Sequence, residues 1–496
     1  MTELERLAGG VLCVGFPGDA RDDALIATLR DLAPGGLILF AHNCSSLEGT
    51  RALVAALRAA LASPFFVAID QEGGRVVRFH GSAPLPSAMA VAAAGDVDLA
   101  EQLGFGIASE LRALDLDLDF APVADLALEP KSTVVGTRAY SDDPATAARF
   151  VAATARGLQR AGVGATLKHF PGHGATAVDS HLALPVVAAD AATLREREFV
   201  PFLAGIGAAA KAVMLGHILV PAIDSERPAS LSARTVDVLR GELGFDGAVV
   251  TDCLQMDAIA RGVGTVRAAV MALRAGADVL TISHDLDVAR ATRDAIVAAL
   301  ETGELDRARL EAAASRSRAL QEKRGGALPT GIDLAATVTA ISRRAITLVR
   351  GDPVLPSYEA VNVVSFDSDA SLHLALRRRR LQAESLRVAA NPDDEMIENL
   401  AALIEAQAAR SLVVLMRRAH LFSQQSRAIE ALLGRVPEAV LVSAAEPFDA
   451  VHFLGARNVL CAYGDDEPTL EALADVLTGR LVPAGTSPVR LECTVP

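Results

Sequence analysis

The sequence predicts a (β/α)8 TIM-type barrel followed by a smaller αβα sandwich domain, an α/β fold throughout. Three observations carry that expectation. Eight short apolar runs recur up to Leu320 with helical patterns between them, and strands alternating with helices build parallel sheets. Several of these runs end in polar groups, namely Asp70, Lys168 with His169, His217, Asp252, and Ser283 with His284. In a parallel barrel all such ends meet on one face. A doubly wound sheet would carry a phosphate loop after its first strand, and Val14–Gly18 (VGFPG) lacks the GxGxxG pattern.

In order, the runs are Val11–Phe16, Gly36–Phe40, Phe65–Asp70, Asp117–Val123, Ala165–Phe170, Ala212–His217, Ala248–Asp252 and Ala277–Ile282. Segments such as Arg51–Leu61 and Ala145–Arg160 repeat apolar residues at helical spacing and supply the crossovers. The charged, Gly- and Pro-rich stretch Glu322–Asp333 (EKRGGALPTGID) reads as a connection. It sets a barrel at 1–325, a linker at 326–335 and a second domain at 336–496. Apolar runs resume in that domain at Ala360–Phe366, Ser411–Met416, Ala439–Val442 and Asn458–Tyr463, and the Arg377–Arg380 run reads as a solvated patch.

The chain has 496 residues, 51% of them hydrophobic, which suffices for a large core and excludes global disorder. A formal charge of −14 excludes a general nucleic-acid binder, whose surface must displace counterions from phosphates. The five cysteines are odd in number and widely spaced without a CxxC pair, so neither a zinc ribbon nor a disulfide framework is expected. No apolar stretch reaches about 18 residues, and the opening MTELERLAGG lacks a basic lead into an apolar run. The expectation is a cytoplasmic protein, monomeric or homodimeric, with a small-molecule partner and no membrane or nucleic-acid partner.

Three stretches could carry chemistry. Lys168–His181 (KHFPGHGATAVDSH) holds three His, one Lys and one Asp in a loop broken by Pro171, Gly172 and Gly174. Asp179 and His181 stand two apart, so an extended segment puts them on one side. The carboxylate can then fix the imidazole tautomer and raise its basicity, making a general acid/base unit. Metal ligation by His169, His173, His181 and Asp179 is the competing reading. Pro171 and Gly172 disfavour the helix that an HxxxH ligand pair needs, and Lys168 repels a cation. No metal and no cofactor are expected. The second stretch is Asp70–Phe79 (DQEGGRVVRF), where Gly73 and Gly74 allow a tight turn and gather Asp70, Arg75 and Arg78. Here the simplest reading pairs Glu72 with Arg75. Arg138, in Val134–Asp143, is a further candidate for the same pocket. The third is Val249–Asp257 (VVTDCLQMD). Asp252 ends an apolar run before a helix, whose N-terminus would keep it ionised as a nucleophile or reduce it to an N-cap. Asp125, His217 and His284 are weaker candidates, each open to a structural role.

Taken together, DQEGGRVVRF, KHFPGHG followed by DSH, and TDCLQM closely resemble glycoside hydrolase family 3 in its β-N-acetylhexosaminidase branch. The resemblance covers the whole barrel. It extends more weakly to Ala345–Leu348 and Tyr463–Val489 as the family's C-terminal sandwich. It implies Asp252 as nucleophile, His181 as acid/base with Asp179 as its partner, and Asp70, Arg78, Arg138, Lys168 and His169 as the groups gripping a terminal N-acetylglucosamine. Cys253 and Asp257 depart from residues frequent in the family. The implied activity is retaining, exo-acting hydrolysis of N-acetyl-β-glucosaminides from cell-wall-derived or chitin-type oligosaccharides through a glycosyl-aspartate. With no Trp in the chain, any sugar platform must be built otherwise. A phosphorylase using the same residues and a β-glucosidase of the same family are the alternatives within this chemistry. A metal-dependent hydrolase and a catalytically silent sugar-binding protein are the alternatives outside it.

Overall fold

The structure is a computed structural model that describes residues 2–18, 22–61, 63–179, 183–321, 330–356, 360–368 and 371–491. Ser180, His181 and Leu182 therefore lie outside the described residues, as does 322–329, most of the expected connection.

All eight apolar runs of the first domain become parallel strands: β1 (Leu12–Val14), β2 (Gly36–Leu39), β3 (Phe66–Ile69), β4 (Leu118–Asp119), β5 (Gly164–Phe170), β6 (Ala212–Leu215), β7 (Ala248–Thr251) and β8 (Leu280–Ile282). Neighbours pair in sequence order, with β1 also on β8. A parallel bridge from Val250 to Val279 joins β7 to β8 and brings the barrel round on itself. The runs are apolar without alternation because both faces are buried. Phe66, Ala68, Leu118, Phe120, Ala212, Met214, Ala248 and Val250 belong to one apolar cluster. Their neighbours Val67, Ile69, Val213, Leu215 and Val249 pack into a second, larger one with the surrounding helices.

The helices have explicit starts. Pro144–Arg160 begins with Pro at its first position after Asp143, whose carboxylate accepts the Thr146 N–H. Asp96, Asp285 and Asp306 cap Val97–Ala113, Leu286–Glu301 and Arg307–Ala319 in the same way. Among the described residues no helix is long and apolar enough to cross a membrane.

The second sheet contains β9 (Thr347–Arg350), β10 (Ala360–Phe366), β11 (Gln382–Val388), β12 (Ser411–Met416), β13 (Val440–Ser443) and β14 (Asn458–Cys461). Their order is β11-β10-β12-β13-β14-β9, parallel except for β9. The four apolar runs expected here are the inner strands. Neither edge strand was expected, for a physical reason: β11 (QAESLRV) is polar with only Ala383 buried, and β9 is half-covered. The Arg377–Arg380 run is exposed at Arg377, Arg378 and Arg380, as expected of a solvated patch, and Arg379 alone departs from it. The Arg379 side chain is only 9% exposed and bonds Glu471 and Asp475.

Candidate active site

Side-chain alternation explains which strand-end residues face inward. In β3, β4, β6 and β7 the inward parity runs through Phe66–Ala68, Leu118–Phe120, Ala212–Met214 and Ala248–Val250. Extending it past the strand ends aims Asp70 and Asp252 into the barrel mouth. They line one cavity of about 370 Å³ together with Phe40, Arg78, Arg138, Lys168 and His169. The same parity turns His217 away. It is fully buried, and its ring bonds Ser230 Oγ at 2.7 Å and the Cys253 carbonyl at 2.9 Å. His217 therefore backs the segment carrying Asp252 rather than lining the cavity.

The cavity walls are charged pairs. Lys168 Nζ donates to Asp70 Oδ1 at 2.8 Å and approaches Glu72 Oε1 at 2.5 Å. Arg138 grips Glu72 in a two-pronged pair, both bonds 2.7 Å. Burial would lower the Lys168 pKa, but Asp70 and Glu72 outweigh it and raise it. Burial would raise the Glu72 carboxyl, but Arg138 and Lys168 hold it far below the usual range. Glu72 thus fixes two of the cations expected to meet a ligand. This overturns the Glu72–Arg75 pairing. Arg75 instead donates to the Val134 and Val135 carbonyls and lies 3.9 Å from Glu446 of the second domain.

The expected tight turn is present, with Gly73 at φ 95° and Gly74 at φ 54°, where side chains are strained. Gln71 closes it. Its Nε2 donates to the Phe79 carbonyl at 2.6 Å and its Oε1 accepts the Arg78 and Phe79 N–H groups. Arg78 is thereby held over the Phe40 ring, 5.6 Å from its centroid, with Nη2 3.8 Å from Asp70. Its Nε is buried without a hydrogen-bond partner among the described residues.

Asp125 proves to be an organiser. Its carboxylate accepts the His169 and His173 backbone N–H groups, at 3.1 and 2.7 Å, and the His169 Nδ1 at 2.6 Å. A carboxylate only accepts, so Nδ1 carries the proton and Nε2 is the ring's other pole. The peptide between Lys168 and His169 is cis, and both side chains line the cavity.

Asp252 is not an N-cap. The helix after it begins at Asp257, and the Asp252 Oδ1 accepts the N–H of Cys253 at 2.7 Å. The expected depression of its pKa is present with a different cause from a helix end. Burial would raise it, and the His217 and His169 rings, the Cys253 N–H and Lys168 outweigh burial. Asp252 is thus a carboxylate on the cavity wall. Cys253 is a buried thiol, and Asp257 lines the cavity and pairs with Arg261.

Asp179 is half-buried and is not among the residues lining the cavity, and its expected partner His181 lies outside the described residues. His284 lines the cavity, its ring 5.6 Å from Phe40. Sequence reasoning missed Gln71 and gave Glu72 the wrong partner. The Glu72 signal was present, since one Glu beside Gly73–Gly74 faces three candidate cations, but spacing alone could not choose its partner.

Comparison with known proteins supplies the family. The profile of the glycosyl hydrolase family 3 N terminal domain matches residues 9–320. A beta-hexosaminidase of Xylella fastidiosa (strain 9a5c) is 43% identical over 283 residues, covering 55% of this chain and 83% of the relative. One from Chromobacterium violaceum is 37% identical over 350 residues, covering 68% of this chain and 96% of the relative. The structure of a glycoside hydrolase family 3 beta-N-acetylglucosaminidase from Paenibacillus sp. str. FPU-7 superposes with a TM-score of 0.92 at 33% identity, covering 100% of both chains. A barrel-mouth cavity of paired carboxylates and cations, together with these matches, leads to one conclusion: the chain belongs to glycosyl hydrolase family 3 and is a glycosidase.

Proposed function

We propose that this enzyme is a retaining, exo-acting β-N-acetylglucosaminidase. The observation that carries the reading is the placement of an ionised Asp252 in a cavity of about 370 Å³ otherwise walled by the Asp70–Lys168 and Glu72–Arg138 pairs and Arg78. That volume is at the small end for ligand pockets and suits one terminal sugar. The paired charges offer donors and acceptors for its hydroxyls, with the unmatched Arg78 Nε as a further donor. Phe40 and Phe120 supply the apolar surface that Trp would otherwise give. Choice of the amino sugar rests on the resemblance and on the relatives' names.

In the proposed reaction the Asp252 carboxylate attacks the anomeric carbon as the leaving oxygen takes a proton from His181. A glycosyl–Asp252 ester forms, and His181 then deprotonates water, which displaces Asp252 with net retention. The roles of His181 and its partner Asp179 rest on the DSH motif. Cell-wall-derived or chitin-type oligosaccharides in the cytoplasm are the proposed substrates.

The test is a panel of nitrophenyl β-glycosides, with and without phosphate. N-acetyl-β-glucosaminide should be cleaved far faster than β-glucoside, and equal rates would assign a glucosidase. Accumulation of sugar 1-phosphate in phosphate buffer would assign a phosphorylase. Asp252→Asn should lower kcat by at least about a thousandfold, and an activated fluoro-sugar should label Asp252. Labelling at another carboxylate would remove it from the mechanism.

A further inference from the structure

A second cavity, of about 450 Å³, lies between the two domains. Sheet topology explains its position. From β10 the chain crosses outward to β11 and then returns past β10 to β12, β13 and β14. Connections therefore leave β10 and β12 in opposite directions. In open parallel sheets the crevice beyond the carboxyl ends at such a reversal is where ligands bind. Asp367 follows β10 and Arg417 follows β12, and both line this cavity. Barrel loops close its other side through Gly74, Ser87 and Thr137.

Backbone conformation singles out the same place. Seven non-glycine residues among those described have positive φ, and Asp367 (46°), Arg418 (58°) and Tyr463 (59°) all line this cavity. Each comes from the end of a different strand. Such strained positions concentrate where a fold holds groups for a ligand.

The lining chemistry repeats that of the catalytic cavity. Arg417 Nη2 stands 3.3 Å from Asp465, Arg418 Nε donates to Glu446 at 3.1 Å, and Arg75 Nη1 lies 3.9 Å from Glu446. Guanidinium–carboxylate pairs present donors and acceptors side by side, which is what vicinal hydroxyls require. Four acidic residues face three arginines, so an anionic ligand would meet repulsion. Phe422, half-buried, adds an apolar face.

Two segments separate the cavities; in the first, Glu72 and Val76 line the catalytic cavity and Gly74 and Arg75 the interdomain one. In the second, Val134 and Arg138 line the catalytic cavity, whereas Thr137 lines the interdomain one. The Val134 carbonyl accepts from Arg138 Nη1, at 3.1 Å, and from Arg75 Nη2.

We propose that the interdomain crevice is a second saccharide-binding site, taking a neutral sugar unit apart from the catalytic cavity. The choice of sugar rests on the proposed glycosidase specificity. The test is calorimetric titration of full-length Asp252→Asn protein with N,N′-diacetylchitobiose. Two sites per chain are expected. Adding Arg418→Ala should weaken one at least about tenfold and leave the other, while adding Asp70→Ala should do the reverse. Ala445→Trp, which fills the crevice without removing charge, should act like Arg418→Ala and serves if that variant fails to fold. A single site lost with Asp70→Ala and indifferent to Arg418 and Ala445 would overturn the proposal and leave the specificity reading standing. A single site lost only with the crevice variants would keep the crevice and overturn the catalytic-site reading. No binding at all would overturn both.

Discussion

Asp119 should make the barrel less stable as pH rises, and Asp119→Asn should abolish that loss. The residue lies in β4 with no exposure and borders, with Glu72, a small void beside the catalytic cavity. Its Oδ1 accepts the Gln71 N–H at 2.9 Å, and its Oδ2 has no hydrogen-bond partner among the described residues. Burial pushes its pKa from 3.8 to about 8. The Gln71 N–H and Lys168 oppose that rise, and Asp70 and Glu72 add to it. The folded state therefore holds a proton that the unfolded chain releases above pH 4. The stability this lends is complete below the unfolded pKa and is lost as pH rises through the folded one. At about 1.4 kcal/mol per tenfold step in proton affinity, the upper bound between pH 5 and 8 is about 4 kcal/mol. If half is realised, at about 2–4 °C per kcal/mol for a large domain, the variant's Tm should gain at least about 4 °C on wild type over that range. Thermal unfolding by circular dichroism at pH 5, 6, 7 and 8 reads this directly. The slope counts, so an overall cost of the amide does not blur the result. Parallel Tm curves for the two proteins would show that Asp119 titrates normally and refute the reasoning.

Glu72→Gln should half-unpair Lys168 and Arg138, whose side chains are only 2% and 13% exposed. Breaking buried pairs costs about 3–5 kcal/mol, so a fall in Tm together with a lower kcat/KM is expected; an unchanged kcat/KM would free Glu72 of any positioning role. Asp125→Asn leaves the His169 ring without its orienting carboxylate, at about 1.5–3 kcal/mol for a charge-assisted bond. A 10–100-fold fall in kcat/KM should follow, and an unchanged value would remove His169 from substrate contact. His181→Ala should slow cleavage of a natural disaccharide far more than of an aryl glycoside, since nitrophenolate leaves without a proton. Asp179→Ala should shift the same way but less, and the double variant should cost less than the two losses combined. Equal slowing of both substrates by His181→Ala would return the acid/base role to another residue.

Much of this architecture was legible in the residues because burial writes itself into composition. A strand covered on both faces is apolar at most positions, so all eight barrel strands stood out as runs. The polar ends of most of those runs marked the cavity mouth for the same reason, since an apolar strand stops where the core stops, while His217 turned out to back the wall instead of lining it. The half-covered edge strands β9 and β11 carried no such mark.

Partnership was another matter. Lys168, Asp70, Arg138 and Asp252 were visible as candidates, and alternation along the strands aims two of them inward. Which charge holds which was settled in space. Glu72 left Arg75, three residues away, for Arg138 and Lys168, 66 and 96 positions on, because barrel closure brings strand ends from distant parts of the chain within hydrogen-bonding distance. Asp125 became the organiser of His169 by the same juxtaposition. The interdomain crevice lay outside sequence reasoning altogether, since it arises where a reversal of strand order in one domain meets the loops of the other. Sequence by itself determined which segments are buried, because the hydrophobic effect acts on each residue locally. Tertiary structure decided which polar groups meet, because electrostatic and hydrogen-bonding energies depend on separations that only the folded chain defines.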